Sequence, residues 1–280
     1  MTAIVSQEWL KERLGDDKYM IIDCRFQLGQ GNTEAGRKAY EQDHIPGAFH
    51  VDLEKNMSGT IREHGGRHPL PDLGEFSLCV GDLGVDSTRT VVAYDDQGGA
   101  MASRLWWMLK FLNHQEVYVL DSGYSTWKAA GNPVTSEIPV AEKRVFSPRV
   151  QRQMLASMEE VRDNLGSADR VLIDSREAGR YAGEMEPIDS KAGHIPGAKN
   201  FFWKDALDPD GNWLSPGQQR ERLEVLPRDK DIIVYCGSGV TACPNVLALH
   251  EAGYEQVKLY AGSWSDWISY EDNLIATGVE

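Results

Sequence analysis

Short, almost uninterrupted apolar runs alternate along this chain with longer stretches whose apolar residues recur at helical spacing. The runs at Tyr19–Ile22, Thr90–Tyr94 and Gln115–Leu120 are too short for a helix and rich in β-branched residues, so they predict strands. Val171–Ile173, Asp231–Tyr235 and Gln256–Tyr260 repeat the pattern. Most of these runs are nearly continuous rather than alternating, so the strands are expected to bury both faces, as in a parallel sheet covered by helices on either side. The fold class predicted is therefore α/β.

The order of elements occurs twice. Ser6 opens an amphipathic helix that runs through Gly15 to a strand ending in Asp23, and Ser157, Gly166 and Asp174 repeat that sequence of features. His44-Ile45-Pro46-Gly47-Ala48 returns as His194-Ile195-Pro196-Gly197-Ala198, Tyr94 answers Tyr235, and the segment from Gly123 to Trp127 answers that from Ser263 to Trp267. Correspondence kept in order along the whole chain is what duplication of an entire domain leaves behind. Between the copies, the segment from Asn132 lacks clear periodicity and holds Pro133, Pro139 and Pro148, so it reads as a linker. The boundary is placed near residue 145, giving domains 1–145 and 146–280.

Composition narrows the partners. With 43 acidic against 29 basic residues the formal charge is -14, a field that repels phosphate backbones and anionic lipids, so neither nucleic acid nor membrane is expected as a partner. No apolar run approaches the roughly 18 residues of a membrane helix, and the first residues lack a signal-peptide design, so a cytoplasmic location is expected. Cys24, Cys79, Cys236 and Cys243 form no C-x-x-C pair and no zinc-type cluster, which fits a reducing compartment in which a cysteine matters as a thiol.

The copies are most informative where they disagree. Asp95 follows the strand of the first copy where Cys236 follows that of the second. Cys236 enters Gly237-Ser238-Gly239-Val240-Thr241-Ala242, after which a helix begins at Cys243. A strand, a glycine-containing loop and a helix start aim successive backbone N–H groups at one point, favouring an anion and lowering a thiol pKa from about 8.5. A lone cysteine at a strand end is most often a small buried hydrophobe. Here the Gly-x-Gly that follows, at the carboxyl end of a parallel strand where α/β ligand sites gather, points instead to a nucleophile. Cys24, Cys79 and Cys243 have no such setting and are assigned to structure.

On these residues the chain resembles the two-domain rhodanese-type sulfurtransferases, and within them the 3-mercaptopyruvate sulfurtransferases. The likeness spans essentially the whole chain and is carried by Cys236-GSGVTA, the two HIPGA segments, Asp174-Ser175-Arg176 with Gly179-Arg180-Tyr181, and the segment Gly262 to Trp267. It implies a tandem of rhodanese-like domains, the first catalytically silent, and a ping-pong cycle in the second. The Cys236 thiolate takes a sulfur from an anionic donor, holds it as a persulfide, and passes it to a thiol such as thioredoxin or glutathione, or to cyanide. No metal or organic cofactor is implied.

Donor choice follows from charge. Family members that prefer the dianion thiosulfate carry basic residues directly after the cysteine, whereas Gly237 and Ser238 are neutral and fit 3-mercaptopyruvate better. The resemblance assigns Arg180 to the donor's anionic group, which a guanidinium can meet with two parallel hydrogen bonds; an ordinary surface arginine is the bland alternative. The second substrate arginine of the best-known mercaptopyruvate enzymes is missing before the second HIPG, where Lys191 is the only cation, so Lys191, Arg62 or Arg67 is left to substitute. Ser238 is expected to polarise the ketone or relay a proton, through His68, whose alternative is an exposed loop histidine without a chemical role. His44 and His194 are assigned to structure, each tying a loop to Asp23 or Asp174 of its own copy. Trp127, Trp264 and Trp267 read as packing, with Trp264 beside the cysteine loop. Two rivals stand apart: a cysteine phosphatase or arsenate reductase, which needs an arginine at C-x5-R where Ala242 stands, and a non-enzymatic sulfur-carrying or protein-binding module.

Overall fold

The computed structural model describes residues 2–27 and 34–279. The chain divides into two compact units, the first comprising residues 1–59, 70–151 and 209–213, the second residues 60–69, 152–208 and 214–280.

Among the described residues the first unit builds a parallel sheet from β1 (Ile4–Val5), β2 (Tyr19–Asp23), β3 (Phe49–His50), β4 (Thr90–Tyr94) and β5 (Val117–Leu120), in the spatial order β1-β5-β4-β2-β3. Its helices are α1 (Gln7–Lys11), α2 (Ala35–Gln42), α3 (Leu73–Asp82), α4 (Ala100–Phe111) and α5 (Gly123–Ala129). The second unit arranges β6 (Arg170–Asp174), β7 (Ala198–Asn200), β8 (Asp231–Tyr235) and β9 (Val257–Leu259) as β7-β6-β8-β9, again parallel, with α6 (Met158–Asp163), α7 (Ala178–Ala182), α8 (Pro216–Arg222), α9 (Cys243–Glu251) and α10 (Ser263–Trp267). Every residue of β4 is buried, as its unbroken apolar run requires. Ser6 and Ser157 cap α1 and α6 by accepting from the N–H of Trp9 and Glu160, so the repeated serine is a repeated helix start.

Three strands per copy are legible in the sequence, and the additional ones are two or three residues long. Strands β3 and β7 follow the two HIPGA segments and pair with β2 and β6. Strand β1 pairs with β5, while in the second unit the matching position is a single bridge between Leu155 and Leu259. The linker also belongs elsewhere than expected. Instead of ending near residue 145, the first unit holds the chain through Gln151, because the N–H groups of Arg144, Arg149 and Gln151 donate to carbonyls of Gly81, Leu112 and Phe111. Residues 60–69, expected within the first domain, belong to the second unit.

A buried polar network recurs in both units and sets the ends of the central strands. Tyr94 pairs in register with Asp23, and Tyr235 with Asp174. The Tyr94 hydroxyl donates to Asp23 and accepts from the Ile45 N–H, and the Tyr235 hydroxyl accepts from the Ile195 N–H. Each HIPGA segment is thereby tied to the strand that precedes the cysteine position. The histidines differ from expectation. The Nδ1 atoms of His44 and His194 lie 2.7 and 2.8 Å from the carbonyls of Tyr40 and Tyr181, on whose rings they also stack. The aspartates are taken instead by Arg25 and Arg176, whose guanidinium forks meet both carboxylate oxygens, which a single imidazole nitrogen could not do.

Candidate active site

Strand β8 delivers Cys236 to the carboxyl end of the second sheet, 1% exposed. The residue is held from three sides. Its backbone N–H donates to Ser263 Oγ at 3.1 Å, its carbonyl accepts from the Trp264 N–H at 2.9 Å, and the Ser265 N–H reaches the Gly237 carbonyl at 2.9 Å. Ser263 does this from a left-handed backbone, φ +57°, a conformation that the first copy fills with Gly123, φ +72°. A non-glycine residue in that region costs about 1 kcal/mol or more, and the hydroxyl on Cys236 is what serine provides there that glycine does not. Through its backbone bond to Cys236, Trp264 lies beside the cysteine loop, and its indole stands 4.7 Å from the Arg176 guanidinium.

The sulfur accepts from the Gly239 N–H at 3.2 Å. Gly239 is fixed by geometry: its φ is +77°, and a Cβ there would stand 2.1 Å from the Ala261 carbonyl oxygen. Gly239→Ala must therefore move the loop. It is expected to cost about 2 kcal/mol or more of stability and to remove sulfur transfer more completely than it removes folding, as thermal unfolding and rate measurements on one preparation would show. Val240 is buried, and its carbonyl accepts from the Cys243 N–H as α9 begins; Thr241 is half-buried. The sequence predicts successive N–H groups aimed at the sulfur, and the N–H of Gly239 is aimed there.

The first copy shows what the rest of such a loop can do. Asp95, 1% exposed, accepts from the N–H groups of Gln97, Gly99, Met101 and Ala102 at 2.7 to 2.9 Å. Burial pushes its carboxyl up, and the four donors pull against that by favouring the charged form. Measured along bonds, a carboxylate oxygen lies one atom farther from Cβ than Sγ does. A second sulfur attached to Cys236 Sγ would have the reach of that carboxylate oxygen.

Arg180, on the last turn of α7, and Arg67, in the 60–69 segment, stand over Gly237. A Cβ on Gly237 would lie 3.1 Å from Arg67 Nη2 and 3.5 and 3.7 Å from Arg180 Nη2 and Nη1. Both are braced from behind. Arg180 donates to Glu186 and Asp189, Arg67 donates to Asp189, and Glu186 further accepts from Arg176 and from the N–H groups of Ile188 and Asp189. Burial pulls Arg67 below its ordinary range, with Cys236 opposing that and Arg180 adding to it. Of the cations left to substitute for the missing arginine, Arg67 is the one brought to the cysteine loop. Arg62 and Lys191 are exposed, and the Lys191 carbonyl serves Trp264. Sequence reasoning missed Glu186 and Asp189; both lie in the stretch that was read for missing positive charge rather than for its acids.

His68 Nδ1 lies 2.8 Å from Ser238 Oγ, so these two expected partners meet. The other thiols are placed differently. Cys24 is fully buried beside Asp95 and Asp23; burial pushes its thiol well up, and both carboxylates add to this. Burial raises the half-buried Cys79 thiol too. Cys243 donates to the Gly239 carbonyl.

Two parallel sheets, one leading into Asp95 and the other into Cys236, are matched by comparison with known proteins. Residues 6–130 and 157–270 match the Rhodanese-like domain. The chain belongs to the rhodanese-like family. This rhodanese-like protein is 40% identical to a Pseudomonas aeruginosa protein named "Probable 3-mercaptopyruvate sulfurtransferase", over 98% of both chains. It is 36% identical to the thiosulfate sulfurtransferase of Bos taurus, over 95% of this chain and 91% of the other. Among solved structures it superposes on SseA from Escherichia coli, described with the 3-mercaptopyruvate sulfotransferases, with a TM-score of 0.83 and 29% identity, covering 95% of this chain and all of that one. Among the described residues no helix is long and apolar enough to cross a membrane.

Proposed function

We propose that this rhodanese-like protein is a sulfurtransferase that moves sulfur from 3-mercaptopyruvate, through a persulfide on Cys236, to a thiol or cyanide acceptor. The observation that carries the reading is the pair of loops: Cys236 with Gly239 on its sulfur in the second copy, and Asp95 with four N–H groups on its carboxylate in the first. Chemistry is kept where the anion arrives as cargo and is absent where the chain supplies it.

The steps balance without a cofactor. The Cys236 thiolate attacks the donor sulfur, an S–S bond forms, the C–S bond breaks, and its electron pair leaves on the enolate of pyruvate. A proton then adds to the enolate carbon, and the Ser238 hydroxyl beside His68 supports that transfer. The terminal persulfide sulfur occupies the loop until an acceptor thiolate attacks it, restoring the Cys236 thiolate. The donor carboxylate takes Arg180 Nη1 and Arg67 Nη2, which bear no acceptor among the described residues.

Donor choice follows from the local charge balance. Gly237 and Ser238 add no charge, and Arg67 and Arg180 are offset by Asp189 and Glu186. A monoanion fits that balance better than a dianion does. Measured side by side, kcat/KM is expected to be higher for 3-mercaptopyruvate than for thiosulfate; the opposite order would transfer the assignment to thiosulfate, which the two guanidinium groups over Gly237 also suit. Arg180→Ala and Arg67→Ala should each lower kcat/KM for anionic donors by roughly 1.5 to 3 kcal/mol, the range of a charge-assisted hydrogen bond. An unchanged value in either variant, with folding intact, would remove that residue from the donor site.

A further inference from the structure

The acid that joins the two arginines has no part in the sulfur chemistry. Asp189 has a side chain only 4% exposed; one carboxylate oxygen accepts from Arg67 and the other from Arg180. A buried acid is costly unless its position is fixed, and here the Asp189 N–H is itself held by Glu186, which is 3% exposed and grips Arg180 and Arg176. The result is a chain of alternating charge, Arg67-Asp189-Arg180-Glu186-Arg176-Asp174, whose formal charges cancel. The faces of Arg67 and Arg180 that remain open point to Gly237, next to the sulfur.

We propose that Asp189 is the specificity-determining residue of the donor site. By holding one negative charge between Arg67 and Arg180, it sets the field at Gly237 to suit a donor with a single negative charge and penalises one with two. The inference rests on the sulfurtransferase reading and deepens it. The Coulomb cost of a fixed negative charge scales with the charge of the ligand, so a dianion pays it twice and a monoanion once. Neutral residues after Cys236 are then only half of the device, since two arginines without Asp189 would attract a dianion. The carboxylate also keeps the two guanidinium groups at a common spacing, which is why its charge must be tested apart from its shape.

Asp189→Asn removes the charge at nearly the same size, with its NH2 group unable to accept from one of the two arginines, and Asp189→Glu keeps the charge and both acceptor oxygens. Binding is read by calorimetry at low ionic strength in a Cys236→Ser background, which turns nothing over, with thiosulfate as the dianion and pyruvate as the monoanion. Asp189→Asn is expected to tighten pyruvate by about fivefold and thiosulfate by about twenty-five-fold, moving the ratio of the two by about fivefold. Asp189→Glu should leave the ratio near that of the parent, and 0.5 M salt should shrink the shift. In the active protein Asp189→Asn should move the kcat/KM ratio of the two donors toward thiosulfate, chiefly through KM. If Asp189→Asn weakens both anions equally, or leaves their ratio unchanged, Asp189 is only a brace and the proposal fails. A parent protein that transfers no sulfur from either donor would instead sink the functional reading, and the binding ratio would still decide the role of Asp189.

Discussion

Cys236→Ser is expected to abolish sulfur transfer, by at least about a thousandfold, because the step that holds the sulfur has no substitute in the chain. After incubation of the unaltered protein with donor, mass spectrometry should find about 32 Da, one sulfur atom, on the peptide that contains Cys236 and on no other. The remaining thiols are poor rivals for physical reasons. Burial beside two carboxylates keeps Cys24 protonated, and burial does the same to Cys79, whereas only a thiolate attacks sulfur. Cys243 is fully buried, with its Sγ directed to the Gly239 carbonyl. Sulfur recovered on Cys24, Cys79 or Cys243 with Cys236 unmodified would overturn the assignment.

The duplication was legible because strands buried on both faces leave dense, unbroken apolar runs that survive divergence, and because Asp23 and Asp174 hold the same buried arginine partner in each copy. Cys236 was legible from its contrast with Asp95. What the sequence could not show is how far apart along the chain the members of one ion network lie. Arg67 and Asp189 are separated by more than a hundred positions, so no local spacing announces their contact. The 60–69 segment carries no apolar run of its own, and its placement is set by side-chain and backbone partners such as Gly65 on Asp266 and Arg67 on Ser265, which periodicity does not encode. The error over His44 and His194 has a similar origin. A histidine near a strand-end aspartate is a reasonable pair on paper, but the arginine two residues after each aspartate reaches it first with a better-matched fork.

Because the Asp–Arg pair occurs in both copies, it offers an internal control. Asp23→Ala leaves Arg25 buried, with the Asp43 carbonyl still accepting from it and the Asp43 carboxylate close enough to feel its charge but bonded to Tyr124 and Lys128, and also strips the Tyr94 hydroxyl of its acceptor. Removing one partner of such a pair costs about 3 to 5 kcal/mol. Asp174→Ala leaves Arg176 with Glu186 and the Gly193 carbonyl, so its cost should fall toward the lower end of that range. Although burial pulls Arg176 down, the Asp174 carboxylate holds it above its ordinary value, so it stays charged and seeks another anion when Asp174 is lost. The nearest is Glu186, which also braces Arg180. The variant that costs less stability should therefore cost more activity. Asp174→Ala is expected to lower kcat/KM for anionic donors by about tenfold, or 1.4 kcal/mol, whereas Asp23→Ala, whose network lies in the unit without Cys236, should leave kcat/KM per folded molecule nearly unchanged. Thermal unfolding of both variants, with rates normalised to the folded fraction, checks the pair of expectations. An Asp23→Ala protein as inactive per folded molecule as Asp174→Ala would mean that the loss comes from general destabilisation, and that Asp174 does not support Arg180 through Arg176 and Glu186.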